Sequence, residues 1–99
     1  MTTEEPAAAA VLTIGHPAGL HLRPAALFVR TASTFTSRVS IRNLSRDNSP
    51  EVDAKSMLGL MQAAVSNGHR VQVQASGEDA AEAVAALERL VEGGFAEPA

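Results

Sequence analysis

Apolar and polar residues alternate along three stretches of the chain, which is the pattern of a β-strand with one buried face. The stretches are residues 9–15, 38–43 and 71–75. In the last two the apolar side chains fall on one side, whereas in the first Leu12 and Ile14 fall on one face and Val11 and Thr13 on the other. A turn-rich connector over residues 45–50 precedes a shorter stretch at residues 51–54, where we expect a return strand. The pattern therefore predicts four strands.

A different spacing, in which apolar residues recur three and four positions apart, predicts helices between and after these strands. The first helix is expected to begin near His21, because Pro24 is tolerated only in a first turn, where an N–H would have no intrahelical partner. Its expected buried stripe consists of Ala25, Phe28, Val29, Ala32 and Phe35.

Two further helices follow. A segment rich in Met and Leu over residues 55–65 predicts a short helix that Asn67–Gly68 stops. Ser76–Asp79 opens the last helix with acidic residues at its positive end, and Gly93–Gly94 ends it. The buried stripe of this last helix is expected to comprise Ala80, Val84, Leu87 and Val91.

The element order β-α-β-β-α-β-α predicts an α+β fold. Since each strand has one apolar face and the helices are amphipathic, we expect an open-faced sandwich, a four-stranded antiparallel sheet with three helices on one face. The domain should span residues 9–94, with a flexible N-terminal tail over residues 1–8 and a C-terminal tail over residues 95–99.

Composition excludes several classes of protein. The chain has 99 residues, of which 45% are hydrophobic and 19% charged, as expected for one globular domain. It contains no cysteine, which excludes disulfides, thiolate metal sites and a thiol nucleophile. The net charge of −3 and the absence of Trp and Tyr argue against a nucleic-acid partner.

The ends of the chain and its longest apolar runs bear on location. No segment is long enough to span a membrane, so we expect no membrane insertion. Glu4 and Glu5 stand where a signal peptide would carry basic residues, and we therefore expect a cytoplasmic protein.

The segment Gly19-Leu20-His21-Leu22-Arg23-Pro24-Ala25-Ala26 carries the most distinctive chemistry. His21 lies where a glycine-containing loop enters a helix, and the backbone N–H groups of Leu22 and Arg23 at that helix end attract anions. A ring nitrogen of the imidazole can act as a nucleophile toward such an anion. The Arg23 guanidinium can reach the same anion. These features suit a histidine that takes up and releases a phosphoryl group, although a histidine in this position is more often a simple cap or surface residue.

The chain has two other histidines. His16 lies in the loop before the helix, and we interpret it as a bystander or a modulator of His21. His69 precedes a strand, and we expect it to be an exposed edge residue. The three histidines lack the i, i+4 spacing of metal ligands on a helix, so we expect no metal site.

The segment around His21 resembles the active-site motif of the HPr family, the histidine-containing phosphocarriers of the bacterial phosphoenolpyruvate-dependent sugar phosphotransferase system (PTS). A second segment, Lys55-Ser56-Met57-Leu58-Gly59-Leu60-Met61, resembles the regulatory serine motif of that family at about the expected distance. The resemblance extends from Val11 to about Val91. It implies the same open-faced sandwich that the periodicity predicts.

The resemblance also implies roles. Enzyme I would transfer phosphate from phosphoenolpyruvate to Nδ1 of His21, and the protein would deliver it to Enzyme IIA domains of the sugar PTS. Arg23 would steady the phosphoryl group. Ser56 would be the target of HPr kinase/phosphorylase in organisms that have this enzyme, and its phosphate would oppose Enzyme I binding by electrostatics. The family implies a carrier and not an independent enzyme, with no cofactor, and we expect a monomer.

A partner surface is expected beside His21. Leu22, Leu27 and Arg30 lie off the predicted stripe of the first helix, and a short helix with one face to bury carries three more candidates. Exposed apolar side chains on a small protein typically mark a partner site, and methionine suits several partners. The expected surface comprises Leu22, Leu27, Arg30, Met57, Leu58 and Met61, with Leu60 in the core.

The chain departs from the family pattern in the loop before Gly19. Ala18 stands where relatives commonly have Asn, Ser, Thr or Asp, so a side-chain hydrogen bond near His21 is missing, and His16 is not typical either. Two alternatives to sugar transport are a regulatory phosphoprotein of a nitrogen-related PTS branch and a small nucleic-acid-binding domain. The negative net charge weakens the second of these.

Overall fold

A computed structural model describes residues 7–96 of the chain. Within these residues the elements alternate in the predicted order. The strands are β1 (Ala7–Thr13), β2 (Arg38–Asn43), β3 (Glu51–Asp53) and β4 (Arg70–Ser76), and the helices are α1 (Leu22–Ser33), α2 (Met57–Ala63) and α3 (Ala80–Glu92).

The strands form a four-stranded sheet in the order β1-β4-β2-β3, in which every neighbouring pair is antiparallel. The strand β4 lies between β1 and β2, so Val73 pairs with Ala10 on one side and with Ile41 on the other. The three helices pack on one face of this sheet, which confirms the expected open-faced α+β sandwich.

The core lies between that face and the helices, because the alternation along each strand turns Val, Leu, Ile and Ala inward. The opposite face carries exposed polar residues such as Arg42 and Gln74. The largest fully buried apolar side chains come from all layers of the fold: Phe28, Phe95, Ile14, Ile41, Leu60, Leu87, Val71 and Val73.

Both predicted domain boundaries need correction. The strand β1 begins at Ala7, so Ala7 and Ala8 belong to the sheet and pair with Ser76 and Ala75, whereas residues 1–6 lie outside the described residues. At the other end, Phe95 is buried at 1% exposure and belongs to the core, because the chain reverses at Gly94 and brings the ring back. Residues 97–99 of the predicted C-terminal tail are also outside the described residues.

The helix α2 is shorter than predicted. It ends at Ala63, and Ala64 takes a left-handed conformation with φ 51°, several residues before the expected stop at Asn67–Gly68. The side-chain amide of Asn43 donates to the carbonyl of Ala63 at 3.0 Å. A partner from another element thus satisfies a carbonyl at the helix end, where no further turn supplies one.

Candidate functional site

His21 is the N-cap of α1, as the position of Pro24 predicted. Its backbone is extended, with φ −80° and ψ −165°, and its carbonyl accepts the N–H of Ala25 at 2.8 Å, the first helical hydrogen bond. The imidazole makes no capping hydrogen bond to the helix, and the residue is exposed. The residue is therefore held at the helix end by its backbone, and its side chain is accessible from solvent.

The first turn of α1 presents the positive end of the helix beside this ring. Leu22 and Arg23 have no carbonyl four residues earlier within the helix, and Pro24 has no N–H. The first turn contains no acidic side chain. Both Leu22 and Arg23 are exposed next to His21, so the environment suits an anion approaching from solvent.

The loop before His21 is tied to the segment that follows α2. Gly19 has φ +58°, and a Cβ built there would lie 2.4 Å from the carbonyl oxygen of Val65. The N–H of Leu20 donates to that same carbonyl at 3.0 Å, and the Leu20 side chain is 2% exposed. Only glycine allows this close approach together with a left-handed backbone.

The segment after α2 is in turn held by a polar pair that the sequence analysis missed. Asn43 is 1% exposed, and its Nδ2 lies 3.1 Å from Nδ1 of His69, which also accepts the N–H of Ser66 at 3.1 Å. His69 is therefore a half-buried anchor, and the expectation of an exposed edge residue is wrong. The signal was available, because Asn43 is a polar residue on the inward side of the alternation in β2.

Ser56 is the N-cap of α2. Its hydroxyl accepts the N–H of Gly59 at 3.0 Å, and the residue is half-buried. Next to it, the Lys55 ammonium donates to the carbonyl of Phe35 at 2.7 Å, beyond the end of α1. The serine motif therefore lies at the start of a helix, and its lysine fixes a neighbouring loop.

The residues of the expected partner surface differ in their exposure. Leu22 is 64% exposed and Leu58 is 70% exposed, whereas Met57 and Met61 are half-buried and packed against the core. Arg30 is exposed, and Leu60 is buried as expected.

Leu27 corrects the predicted surface, since it is 7% exposed and belongs to the core. The helix α1 contacts both α3 and α2, so its buried face is wider than the predicted stripe. Leu27 lies on the flank of that stripe, where a neighbouring helix covers it.

A depression of about 900 Å³ lies on the side of the sheet that includes Arg38, Ser40 and Gln74, and neither His21 nor Arg23 lines it. Over residues 7–96, no three His, Asp or Glu side chains come together as metal ligands would. In the same range no helix has the length and apolar character needed to cross a membrane.

The chain is similar to known proteins in both sequence and structure. The family model described as the PTS HPr component phosphorylation site matches residues 8–93. The phosphocarrier protein HPr of Xylella fastidiosa is 40% identical over 86 residues, covering 87% of this chain and 92% of that protein. A crystal structure of HPr-C-His from Thermoanaerobacter tengcongensis is similar with a TM-score of 0.83 and 42% identity, covering 93% of this chain and 99% of that one.

A larger protein matches as well. The multiphosphoryl transfer protein of Haemophilus influenzae is 38% identical over 93 residues, which are 94% of this chain but 18% of that protein. This chain thus spans about a fifth of that relative's length. The fold and these matches define a phosphocarrier domain. The chain belongs to the HPr family of the phosphotransferase system.

Proposed function

We propose that the protein accepts a phosphoryl group on Nδ1 of His21 from phosphorylated Enzyme I and passes it to Enzyme IIA domains of the sugar PTS. The observation that carries the proposal is the exposed His21 ring at the N-cap of α1, which makes no capping hydrogen bond. During uptake, the P–N bond at His21 forms as the bond between the donor and phosphorus breaks. During delivery, the P–N bond breaks as the bond between phosphorus and the acceptor forms.

The neighbouring groups have distinct tasks in this proposal. The N–H groups of Leu22 and Arg23 and the Arg23 guanidinium offset the negative charge of the phosphoryl oxygens, since helix N-termini and arginine both favour such anions. Leu22, Leu58, Met57 and Met61 form the contact surface for the partner proteins, with Arg30 at its edge. Because the site is on the surface, the partner supplies the other half of the reaction centre.

Ser56 is proposed as a regulatory phosphorylation site for an HPr kinase/phosphorylase. Its hydroxyl already accepts the N–H of Gly59, and a phosphate there would add about −1.5 to −2 charges beside Leu58. This added charge would oppose docking of Enzyme I. In this role the protein acts in the cytoplasm, as a monomer that visits several partners in turn.

The test is incubation with phosphoenolpyruvate and purified Enzyme I, followed by intact-mass measurement before and after mild acid. We expect a gain of one phosphoryl group that acid removes, and no gain in His21→Ala although this variant folds normally. Arg23→Ala should accept the group more slowly, and Arg42→Ala, on the open face of the sheet, serves as its matched control. A phosphoryl group on His21→Ala would disprove the assignment.

A second measurement addresses the branch of the system. The phosphorylated protein is offered to Enzyme IIA domains of a sugar branch and to those of a nitrogen-related branch. Transfer to the sugar domains supports the proposal, and transfer only to the nitrogen-related domains would replace it with the regulatory alternative.

A further inference from the structure

His16 holds the loop that leads to His21 through two different acceptors. Its side-chain Nδ1 accepts the N–H of Ala18 at 3.0 Å. Its backbone carbonyl accepts the N–H of Gly19 at 2.8 Å, which closes a four-residue turn with Pro17 in the second position. One residue thus satisfies two successive donors of the turn.

The backbone donors between His16 and His21 are then fully assigned. Pro17 has no N–H, Ala18 and Gly19 donate to His16, and Leu20 donates to the carbonyl of Val65. An Asn, Asp or Ser side chain often accepts the N–H two residues further along a turn in this way. Here the imidazole of His16 makes that bond, from two residues before Ala18.

The His16 ring is oriented by the C-terminal end of α3. It meets the ring of Phe95 edge to face, with centroids 5.8 Å apart and an interplanar angle of 88°. Phe95 is buried at 1% exposure. Its N–H donates to Leu90 at 2.9 Å and that of Gly94 to Val91 at 3.0 Å, the two bonds of a Schellman motif. The turn after α3 therefore positions the ring of Phe95, which orients the imidazole of His16 in the loop before His21.

We propose that His16 is a positioning residue for phosphoryl transfer: its Nδ1 holds the turn 16–19 in the conformation that presents His21 at the start of α1. The inference rests on the proposed function of His21. His16 itself takes no phosphoryl group in this proposal: its Nδ1 lone pair accepts the Ala18 N–H, and a neutral ring that accepts at Nδ1 carries its proton on Nε2, so neither nitrogen offers a free lone pair.

Two substitutions distinguish the contribution of the Nδ1 acceptor from that of the ring contact with Phe95. His16→Asn keeps a side-chain acceptor that can reach the N–H of Ala18 but removes the contact with Phe95. His16→Phe keeps an aromatic ring beside Phe95 but has no acceptor. Initial rates of phosphoryl uptake from phosphorylated Enzyme I are measured at several concentrations of each variant, so that kcat and KM are obtained separately.

We expect His16→Phe to lower kcat about fivefold with little change in KM, since a single hydrogen bond is lost and the partner surface around Leu22 is unaltered. His16→Asn should stay within about twofold of wild type. Amide hydrogen exchange at Ala18, followed by NMR, should be slow in wild type and in His16→Asn and faster in His16→Phe. A merely structural role of the ring would give the reverse order of the two variants.

Equal rates in wild type and His16→Phe would overturn the inference, and so would a His16→Asn variant as slow as His16→Phe. If His16→Phe does not fold, His16→Leu provides the variant without an acceptor. Wild-type protein that takes up no phosphoryl group would overturn the proposed function and this inference with it. Normal uptake with unchanged variants would overturn this inference alone.

Discussion

The carboxylate of Asp79, the residue before α3, accepts the backbone N–H of Ser37, the residue before β2, at 2.9 Å. It also accepts the Ser37 hydroxyl and, through its other oxygen, the N–H of Thr36 at 2.9 Å. Asp79 was expected to serve its own helix as an acidic N-terminal residue, but it makes no side-chain cap there. Its bonds connect two elements that are more than forty residues apart.

These hydrogen bonds make the free energy of unfolding of the domain depend on pH in the acidic range. The hydrogen bond from the Ser37 hydroxyl, followed by the N–H of Thr36, lowers the pKa of Asp79 from 3.8 to about 2. Since the pKa is lower in the folded state, the stabilisation is complete above pH 3.8 and is lost as the pH falls towards 2. We expect Asp79→Asn to be less stable than wild type near neutral pH, with a difference that narrows in acid.

The measurement for Asp79 is urea unfolding of both proteins over this pH range. Glu78→Gln, a neighbouring exposed carboxyl, is the matched control and should follow wild type. A difference between wild type and Asp79→Asn that stays constant from neutral pH to about pH 2 would contradict the expected dependence.

Gly19→Ala tests how the loop before His21 is held against Val65. A Cβ at this position would lie 2.4 Å from the carbonyl oxygen of Val65, and the alanine would have to adopt φ +58°. We therefore expect a loss of about 1–3 kcal/mol in the free energy of unfolding. Phosphoryl uptake should fall as well, because the loop that leads to His21 has to shift.

Gly15→Ala is the control for Gly19→Ala, since it lies in the same loop and nothing is within 4 Å of its Cβ position. It should change the free energy of unfolding by less than about 0.5 kcal/mol. Chemical denaturation and the uptake assay check both variants, and equal behaviour of the two would show that the contact with Val65 is unimportant.

Ser56 has a structural role as the N-cap of α2 and a proposed regulatory role, and two substitutions can distinguish them. Ser56→Ala removes the acceptor for the Gly59 N–H and should lower the free energy of unfolding by about 1 kcal/mol while uptake continues. Ser56→Asp keeps an N-cap acceptor and adds a negative charge. It should unfold like wild type and accept phosphate from Enzyme I more slowly. Normal uptake by Ser56→Asp would argue against electrostatic regulation.

The sequence predicted those features that depend on local pattern. Strand alternation, helical spacing and the restriction at Pro24 were enough to predict the order of the elements and the start of α1 at His21. The exposure of Leu22 and Leu58 also followed from their positions on the helices.

What the sequence did not reveal depends on contacts between distant segments. Leu27 is buried because α1 has neighbours on its flank, and periodicity within one helix cannot identify those neighbours. His69 is an anchor because β2 brings Asn43 to it from 26 positions away in the chain. Phe95 follows a pair of glycines that ends α3, so its return to His16 depends on the path of the chain after the helix.

The correction at Leu27 supplies the sharpest test of the partner surface, because the same substitution can be made at two leucines of α1. Leu22 is 64% exposed, so Leu22→Ala should change the free energy of unfolding by less than about 0.5 kcal/mol. It should nevertheless raise the KM for phosphorylated Enzyme I several-fold, since it removes an apolar contact with the partner. Leu58→Ala, at 70% exposure on α2, should behave in the same way.

Leu27→Ala should do the opposite. At 7% exposure it leaves a cavity in the core, and we expect a loss of about 2–5 kcal/mol in the free energy of unfolding. At a temperature where this variant remains folded, its KM should match wild type, because Leu27 is not at the surface. Urea unfolding and uptake kinetics on the three variants decide the matter. If Leu22→Ala and Leu58→Ala both kept the wild-type KM, the partner surface would have to lie on another part of the molecule.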